Sequence, residues 1–584
     1  MADICAKINL LREYMAHSGA DYYLLDDADE HGSEYTNDSY KLRTCFSGFD
    51  GSNGKLLIGR EDAYLWTDGR YFIQAANQLE GTGITLMKMG EADVPSLSDF
   101  IGKRIPDKST VMYNPFVLPK LLFSRFEKSI SSDRNITFKP DEGYSIPFAV
   151  LEKLGAPTVS LLPGKVSVLS NDLCGMRTSE KLSVIREKLA EKNYDAVINA
   201  DLSINMYIFN VRGCDIVHNP VAFSYSYVSK SEAVLYLYKE VINDEILKYA
   251  EEEGFKVLFY ENAAEDIARK VRGLKVCIDE GSANTGICQK IEANAMSVQD
   301  DDCGIFRMMA VRTEKEIENI RKVYEKDSCV LASFLREMKK NPCATESEAR
   351  IKLDSLRLAD SDCFDLSFDT ISAYGPNGAM MHYEDSEERP VEIKPGNLYL
   401  VDSGGQWLGG TTDVTRTIAI GDATYEMKHD YTRVVRGMLA LQNAVFMKGC
   451  TGINLDILAR APMWEEGDDY KCGTGHGIGY MLSVHEGPHA IRWKANVSGK
   501  DAVLEPGMLV SDEPGIYKEG KYGIRMENIL LVKEKCTTAD GVFLCFECLT
   551  KVPVDEDLIL REEMSVKELE WLDAYQTEVS HVLR

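Results

Sequence analysis

The feature that most constrains this chain is a set of acids at matching positions around glycine-rich turns. Asp402 and Asp413 lie in LVDSGGQWLGGTTDVTRTI, where each ends an apolar or β-branched run, and the segment between them centres on Trp407 and Leu408. If this segment folds as an antiparallel hairpin, Asp402 lies directly opposite Asp413 with both side chains on one face. Two carboxylates held this close repel each other unless a cation lies between them.

A second pair of acids follows the same pattern. Glu513 in VSDEPGIY and Glu527 in GIRMENILLV flank a turn-rich segment centred on Gly520. A hairpin about that glycine places Glu513 against Glu527. Between the two hairpins, the glycines of GTGHGIG flank His476 and let the backbone approach a ligand closely. Four carboxylates and one imidazole are a suitable ligand set for two divalent ions that share acids. Such a site activates water for a displacement reaction.

Turn chemistry and solvated charge usually explain a single acid pair beside a hairpin. Two such pairs with a glycine-flanked histidine between them favour a metal site instead. The region also holds several of the 9 histidines in the chain, among them His382, His476, His485 and His489. The stretch from His382 to Glu527 therefore predicts a dinuclear metal centre.

Several motifs in this stretch resemble the catalytic domain of the Xaa-Pro aminopeptidases (aminopeptidase P). They are GPNGAMMHY, VDSGGQWLGGTTDVTRT, GTGHGIG, VHEGP, SDEPG and GIRMEN. The resemblance continues through SGFDGSNG, WTDGRYF, RGCDIVHNPVAFSY and ELEWLDAYQTEV, and so covers nearly the whole chain in the long three-domain form. It implies a catalytic domain with the pita-bread fold.

The chain also contains an internal duplication. Residues near the start recur at one constant offset: Arg12, Glu13, Ala16 and Asp21 match Arg186, Glu187, Ala190 and Asp195. Each set opens with a helix and a strand, which predicts two α/β domains of one design. With the resemblance, the expected fold is two creatinase-like N-terminal α/β domains (1–160 and 161–308) and a pita-bread α+β catalytic domain (309–584). The first boundary includes Pro157, and the last domain ends in an amphipathic helix docked on its own domain.

The resemblance also implies roles for the acids and the histidine. Asp402, Asp413, His476, Glu513 and Glu527 match the family's metal ligands one by one. Asp413 and Glu527 would bridge both ions, Asp402 would hold one ion, and His476 with Glu513 would hold the other. Oxygen ligands favour hard divalent metals. The family typically uses manganese, so the resemblance implies two divalent ions per chain, with Mn²⁺ as the expected metal and cobalt, zinc and iron left open.

The implied activity is removal of the N-terminal residue from peptides with proline second, by attack of a hydroxide that bridges the two metals. Glu513 is the candidate to accept the water's proton and pass it to the departing nitrogen. His382 and His485 match positions that contact substrate and stabilise the tetrahedral intermediate; ordinary packing is the alternative. Arg70 in WTDGRYF matches a substrate-contacting arginine, although an ion pair with Asp68 is also plausible for a surface arginine.

The cysteines give one departure from the family pattern. Family members commonly have HGTGHG, whereas this chain has CGTGHG with Cys472 at the first position. The change leaves His476 in place and puts the leaving-side pocket in doubt, and a thiol there could bind soft metals or oxidise. Cys545 and Cys548 form a CxxC, but GVFLCFECLTKVPV is typical of a strand, and no second metal-binding pair accompanies it.

Composition limits the class of partner. The net charge of −27, from 93 acids and 66 bases, argues against binding to nucleic acid and to an anionic membrane. No apolar signal core or membrane-spanning stretch is present, which predicts a cytoplasmic protein. An odd number of cysteines, 15, without framework spacing fits reduced thiols. A homodimer is expected by resemblance only.

Two alternatives stay open. One is a prolidase or another aminopeptidase of the same fold, because specificity depends on pocket shape that a sequence does not show. The other is a non-catalytic binding module, since this fold also serves as a protein-binding scaffold in which the metal ligands are lost. Retention of all five ligand residues favours the enzyme.

Overall fold

The computed structural model describes residues 2–156, 161–495 and 501–583. The chain forms two compact units, Met1–Leu169 with Met176–Ile305, and Ser170–Gly175 with Phe306–Arg584. The predicted boundary at residue 160, including Pro157, lies outside the described residues. None of the helices in the described ranges is long and apolar enough to cross a membrane.

The first unit begins with a six-stranded sheet. Its strands are β1 (Tyr22–Leu25), β2 (Lys55–Gly59), β3 (Ala63–Thr67), β4 (Thr85–Lys88), β5 (Thr110–Tyr113) and β6 (Thr137–Pro140). The helices that accompany it are α1 (Ala2–Ser18), α2 (Leu42–Ser47), α3 (Phe72–Leu79), α4 (Leu97–Lys103), α5 (Lys120–Ser129) and α6 (Ser145–Lys153). Both faces of the sheet bury apolar side chains, one against α1 and α6 and the other against α4 and α5.

The same unit contains a second six-stranded sheet. Its strands are β8 (Ala196–Asn199), β10 (Ser224–Ser229), β11 (Ala233–Leu237), β12 (Lys256–Phe259), β13 (Lys275–Ile278) and β14 (Ser297–Asp300), and a separate two-stranded ribbon pairs β7 (Ser167–Val168) with β9 (Val211–Arg212). Its helices are α7 (Thr178–Lys192), α8 (Leu202–Phe209), α9 (Asp244–Glu253), α10 (Ala263–Lys270) and α11 (Thr285–Glu292).

The predicted duplication is confirmed by the topology of these sheets. Their strand orders, β4-β3-β2-β1-β5-β6 and β12-β11-β10-β8-β13-β14, are the same pattern. The repeated residues make equivalent contacts. Arg12 Nε donates to the carbonyl of Gly59 at 2.9 Å, where the second strand ends, and Arg186 Nε donates to the carbonyl of Ser229 at 3.2 Å. The duplicated arginine therefore ties the opening helix to the same strand end in both halves.

The repeated aspartate also has one task in both halves. Asp21 accepts a hydrogen bond from the backbone N–H that opens β5, at 2.8 Å, and Asp195 accepts one from the N–H that opens β13, at 3.0 Å. Each aspartate thus fixes the start of the parallel strand beside the first strand of its sheet. The arginine and the aspartate therefore recur at one offset in the sequence because each has the same structural role in both sheets.

The second unit is an α+β body. Its helices are α12 (Ile305–Ala310), α13 (Glu314–Lys340), α14 (Glu346–Leu358), α15 (Tyr425–Gln442), α16 (Ile453–Trp464) and α17 (Val566–Val582). Its strands up to the middle of the unit are β15 (Cys363–Leu366), β16 (Ile371–Tyr374), β17 (Asn397–Ser403), β18 (Gly405–Trp407), β19 (Gly410–Thr411), β20 (Val414–Ile420) and β21 (Val445–Met447). The remaining strands are β22 (Gly475–His476), β23 (Ala490–Ile491), β24 (Leu509–Asp512), β25 (Gly515–Lys518), β26 (Tyr522–Arg525), β27 (Asn528–Thr538) and β28 (Gly541–Cys548).

Two sheets of this unit support the predicted site. One has the order β16-β17-β20 and the other β21-β28-β27-β24. Helices α15, α16 and α17 pack their buried side chains into one core with β24 to β28. The C-terminal helix docks on its own unit as expected, where Tyr575 Oη donates to the carbonyl of Val552 at 2.6 Å.

Candidate metal centre

The first predicted hairpin forms, but its pairing differs from the expectation. β17 pairs with β20 in a register that sets Asp402 opposite Thr415. Continued toward the turn, this register sets Asp413 opposite Gly404, so the prediction that Asp402 faces Asp413 directly is wrong. Asp413 is instead a diagonal neighbour of Asp402. Because side chains two residues apart on a strand share a face, both carboxylates still lie on one side.

The turn explains the difference. Trp407 pairs with Gly410, so the turn is centred on Leu408 and Gly409, one residue later than the sequence suggested. Gly409 has a φ of +104°, a value that glycine adopts without strain. A shift of one residue in the turn centre moves every cross-strand partner by two residues.

The second hairpin has the predicted register. Gly515 on β25 pairs with Arg525 on β26, around a turn in which Gly520 has a φ of +73°. Carried two residues further, the same register sets Glu513 opposite Glu527. This pair therefore lies where the sequence placed it.

His476 lies between the acids of the two hairpins. Its Nε2 is 3.3 Å from Glu513 Oε1 and 3.5 Å from Asp413 Oδ2. Its Nδ1 is 2.9 Å from the carbonyl of Gly477, and a carbonyl can only accept, so Nδ1 carries the hydrogen. In the neutral ring Nε2 then presents a lone pair to two carboxylates. That arrangement is favourable only with a cation between them.

The predicted ligand side chains converge on one place. Ligand atoms of Asp402, Asp413 and Glu527 lie within 4.8 Å of one another, and so do those of His476, Glu513 and Glu527. Glu527 belongs to both groups, which is the arrangement required of an acid shared by two ions. Asp413 forms a further group with His476 and His485.

The electrostatics of the cluster fit divalent cations. Burial, followed by the facing carboxylates, raises the pKa of Asp413 and the pKa of Glu527 well above the usual range. Burial also raises the pKa of Glu513 to about 7. Among the described residues, none donates a hydrogen bond to the buried Oδ1 of Asp402 or the buried Oε1 of Glu527. Buried acceptor atoms without donors are costly, and metal ligation satisfies them. The residues present therefore fit a dinuclear site.

Sequence reasoning missed one residue of this site, Arg525. Its Nη2 donates to Asp402 Oδ2 at 2.6 Å, its Nε to Thr415 Oγ1 at 3.1 Å and its Nη1 to Tyr517 Oη at 3.0 Å. The guanidinium is buried, so it lowers the electrostatic cost of the acid cluster and orients Asp402. The available signal was a lone cation two residues before Glu527, in the mostly apolar segment YGIRMENILLV.

The other predicted histidines differ in position. The rings of His485 and His476 are 4.4 Å apart between centroids in an edge-to-face arrangement, so His485 lies at the acid cluster. His382 follows the 3-10 turn Gly375–Ala379 and is half-buried. His489 is buried, with Nε2 at 2.5 Å from the carbonyl of Leu509. It therefore packs beneath the site, against the strand β24.

A buried glutamate, also missed from the sequence, fixes the segment that carries His382. Glu346 at the start of α14 accepts hydrogen bonds from Tyr374 N at 2.5 Å, Asn377 Nδ2 at 3.1 Å and Tyr383 Oη at 2.8 Å. One of these donors lies within the turn before His382, and the other two lie on either side of it. Glu346 therefore holds the loop in one conformation.

The first unit shows Arg70 in an ion pair. Its Nε and Nη2 donate to the two carboxylate oxygens of Asp68, each at 2.9 Å, and Nη1 lies 3.4 Å from Glu34 Oε1. The ion pair with Asp68 is the alternative to substrate contact that the sequence left open for Arg70. Its guanidinium has a fixed orientation as a result.

The cysteines have ordinary structural surroundings. Cys472 is half-buried and packs against the core of the second unit. Cys545 and Cys548 lie on β28, as the strand interpretation predicted, and Cys548 Sγ is 3.3 Å from the carbonyl of Thr550. Every cysteine in the described residues is a free thiol.

Comparison with protein families matches most of the chain. The creatinase/prolidase N-terminal domain matches residues 160–316, metallopeptidase family M24 matches residues 318–534, and the C-terminal region of peptidase M24 matches residues 542–584. The M24 match includes every residue of the acid cluster.

Curated relatives match over the full length. A probable Xaa-Pro aminopeptidase P of Laccaria bicolor is 34% identical, over 97% of this chain and 88% of its own length. One of Tuber melanosporum is 33% identical over 99% of this chain and 95% of its own.

Solved structures agree with these matches. The crystal structure of X-prolyl aminopeptidase from Caenorhabditis elegans, described as a cytosolic enzyme with a di-nuclear active site, has a TM-score of 0.91 and 30% identity, and the match covers 99% of this chain and 95% of that one. The Xaa-Pro dipeptidase of Bacillus anthracis, at 23% identity and a TM-score of 0.51 over 65% of this chain and 99% of its own, shares the fold. The chain therefore belongs to the Xaa-Pro aminopeptidase P family of the M24 metallopeptidases.

Proposed function

We propose that this chain is a metal-dependent aminopeptidase that removes the N-terminal residue from peptides with proline in the second position. The observation that carries the proposal is the convergence of one imidazole and four carboxylates, with two buried carboxylate oxygens that no described residue hydrogen-bonds. The fungal relatives and the nematode enzyme, by their names and its di-nuclear site, support the same activity.

Five side chains would hold two divalent ions. Asp413 and Glu527 would contribute to both positions, Asp402 would complete one position, and His476 with Glu513 would complete the other. We propose Mn²⁺ for both, because oxygen donors dominate the set and favour hard cations. When bound, two such ions polarise the scissile carbonyl and lower the pKa of a water between them.

Glu513 is the proposed proton carrier. Its Oε1 accepts a hydrogen bond from Ser511 Oγ at 3.1 Å, which fixes the carboxylate beside His476. From there Glu513 accepts a proton from the attacking water and passes it to the departing nitrogen. Proline makes this transfer essential, because its tertiary amide nitrogen has no hydrogen and leaves only after protonation.

His485, His382 and Arg70 are the proposed substrate contacts. His485 lies edge-to-face with His476, and one of its ring nitrogens lies within 4.8 Å of ligand atoms of Asp413 and His476. A neutral imidazole there can donate a hydrogen bond to a developing oxyanion without repelling cations. His382 is carried by the segment that Glu346 holds, and the guanidinium of Arg70 suits a peptide carboxylate or carbonyl.

We further propose that the chain works in the cytosol as a homodimer. The nematode relative, described as a cytosolic enzyme, supports the compartment. Size-exclusion chromatography with light scattering would test the dimer, with a mass of one chain, 65.4 kDa, as the outcome against it.

The activity is tested on metal-stripped protein. A peptide with proline second is offered, and Mn²⁺, Co²⁺, Zn²⁺ and Fe²⁺ are returned one at a time. We expect no hydrolysis without metal, recovery with Mn²⁺, and no recovery in Asp413→Asn. Xaa-Pro dipeptides and Met-initiated peptides serve as competing substrates. Exclusive cleavage of the dipeptide would indicate a prolidase, and metal binding without any cleavage would indicate a binding module.

A further inference from the structure

A buried ion pair on α16 lies outside the ligand set. Arg460 Nε donates to Asp456 Oδ2 at 2.7 Å, one helical turn apart, and both side chains are fully buried. A buried ion pair does not stabilise a fold unless further hydrogen bonds compensate its loss of hydration. The other polar atoms of Arg460 and Asp456 form such hydrogen bonds, all of them with the segment that leads to His476.

Arg460 holds the backbone that leads to the metal centre. Its Nη1 donates to the carbonyl of Tyr470 at 2.8 Å and its Nη2 to the carbonyl of Cys472 at 2.6 Å. Its guanidinium also stacks 3.8 Å from the centroid of the Tyr470 ring. The segment from Tyr470 to Cys472 lies in neither a helix nor a strand, so these contacts fix its path.

Asp456 holds Thr474, two residues beyond this segment, by a hydrogen bond to its side chain. Thr474 Oγ1 donates to Asp456 Oδ1 at 2.6 Å, and Tyr470 Oη lies 2.6 Å from the same hydroxyl. Because the hydrogen of Thr474 is given to the carboxylate, Tyr470 must be the donor to Thr474. This chain of hydrogen bonds leaves the Thr474 side chain a single orientation.

Thr474 connects α16 with two metal ligands. Its carbonyl accepts a hydrogen bond from Glu513 N at 2.9 Å, and Gly475 separates it from His476. Gly475 is so close to β24 that an added Cβ would lie 1.8 Å from the carbonyl of Ser511. Thr474 therefore sets the position of Glu513 through its backbone and that of His476 through the chain.

We propose that Asp456, acting through Thr474, is a positioning residue for the ion position that His476 and Glu513 share. The inference rests on the proposed function, because it assumes that these two residues bind metal. Neither Asp456 nor Thr474 belongs to the proposed ligand set, and in the described part of the chain Asp402 has its hydrogen bond with Arg525 instead. Loss of the Thr474 hydroxyl should then weaken one of two ion positions selectively.

The test compares Mn²⁺ binding in three variants. Thr474→Val removes the hydroxyl at nearly constant volume, Thr474→Ser keeps it, and Asp456→Asn weakens the acceptor. Metal-free protein is titrated with Mn²⁺ alone by calorimetry, and thermal unfolding of the metal-free chains checks the fold. We expect two Mn²⁺ per chain in wild type and Thr474→Ser. In Thr474→Val and Asp456→Asn we expect one site unchanged and the other about 10- to 100-fold weaker.

The outcomes separate the two proposals. A wild-type chain that binds no Mn²⁺ overturns the proposed function and this inference together. The other case is a wild-type chain that binds two Mn²⁺. This inference alone is then overturned if Thr474→Val or Asp456→Asn leaves both sites unchanged, or weakens both equally. If Thr474→Val does not fold, Asp456→Asn decides by the same criterion.

Discussion

Arg525 and Asp402 lie on different hairpins, and the guanidinium Nη2 of one donates to the carboxylate Oδ2 of the other at 2.6 Å. The same guanidinium also reaches Thr415 and Tyr517. A single cation thus connects both halves of the acid cluster and leaves the Oδ1 of Asp402 available to a metal.

Replacement of this arginine by lysine should lower activity while it preserves charge. In Arg525→Lys one ammonium cannot reach all three partners, so Asp402 loses its fixed orientation. We expect kcat/KM to fall about 10- to 100-fold. Arg561→Ala, which breaks an ion pair with Asp573 that is largely exposed, is the control and should retain full activity. Equal activity in Arg525→Lys and wild type would contradict the role.

Neutralising a shared ligand should stabilise the metal-free chain. Burial, followed by the facing carboxylates, raises the pKa of Asp413, so Asp413→Asn removes a buried charge and its repulsion. We expect a gain on the order of 1 kcal/mol in the unfolding free energy in chelator, measured by urea denaturation. Excess Mn²⁺ should reverse the order, because only wild type gains binding energy. Asp422→Asn, at an exposed aspartate, should change neither value, and a loss of stability in chelator for Asp413→Asn would refute the repulsion.

Restoring histidine at position 472 should alter the leaving-side pocket. Cys472 and Tyr517 both pack against the core of the second unit, and the Tyr517 hydroxyl accepts from Arg525. An imidazole there is larger and adds ring nitrogens, so Cys472→His is expected to change kcat or the preference between Mn²⁺ and Zn²⁺. Steady-state kinetics with each ion measure it, with Cys472→Ser as the size-matched control. Identical kinetics and metal dependence in Cys472→His and wild type would remove the idea.

A substitution of Glu346 should affect substrate contacts without affecting metal binding. Glu346→Gln replaces an acceptor of several hydrogen bonds by an amide, so the segment before His382 loses its fixed conformation. We expect kcat/KM to fall about 10- to 100-fold, while calorimetry still finds the wild-type number of Mn²⁺ ions. Glu348→Gln, exposed on the same helix, is the control. A loss of Mn²⁺ in Glu346→Gln would show that the glutamate supports the acids instead.

The buried His489 gives a pH dependence with a defined sign. Burial, with a smaller effect of Arg312, lowers the pKa of His489 to about 4, below its value of 6.5 when unfolded. The unfolded chain therefore binds the extra proton first, and stability falls as pH decreases from about 6.5 to about 4. The loss is up to about 3 kcal/mol. Urea denaturation in chelator should show a shallower fall in His489→Gln, and an unchanged slope would exclude His489 as its source.

The two hairpins show why one register was predictable and the other was not. Around Gly520 the turn is symmetric about a single glycine, so counting outward gave the correct pairing of Glu513 with Glu527. In the first hairpin several glycines compete for the turn. In the folded chain β18 pairs with β15 as well as with β19, and the pairing with β15 is a tertiary contact that no local pattern contains.

The duplicated α/β halves were predictable for a similar reason. Asp21 and Asp195 serve the same strand start, so a repeat at a fixed offset exposed a shared structure. The residues behind the ligands were not predictable, because Asp456, Arg460 and Glu346 act through hydrogen bonds to residues that are distant in sequence. Such partners have no characteristic spacing relative to the ligands, and they become visible only in the folded chain.

The short second hairpin places a limit on length variation in this family. Asp512 pairs with Asn528 and Gly515 pairs with Arg525, so the paired segments on either side of Glu513 and Glu527 keep one register. Deleting a single residue between 519 and 521 would move the partners by one position and turn one glutamate to the opposite face. Homologous chains should therefore keep the count of residues from 513 to 527 constant, and insertions should accumulate at helix ends instead.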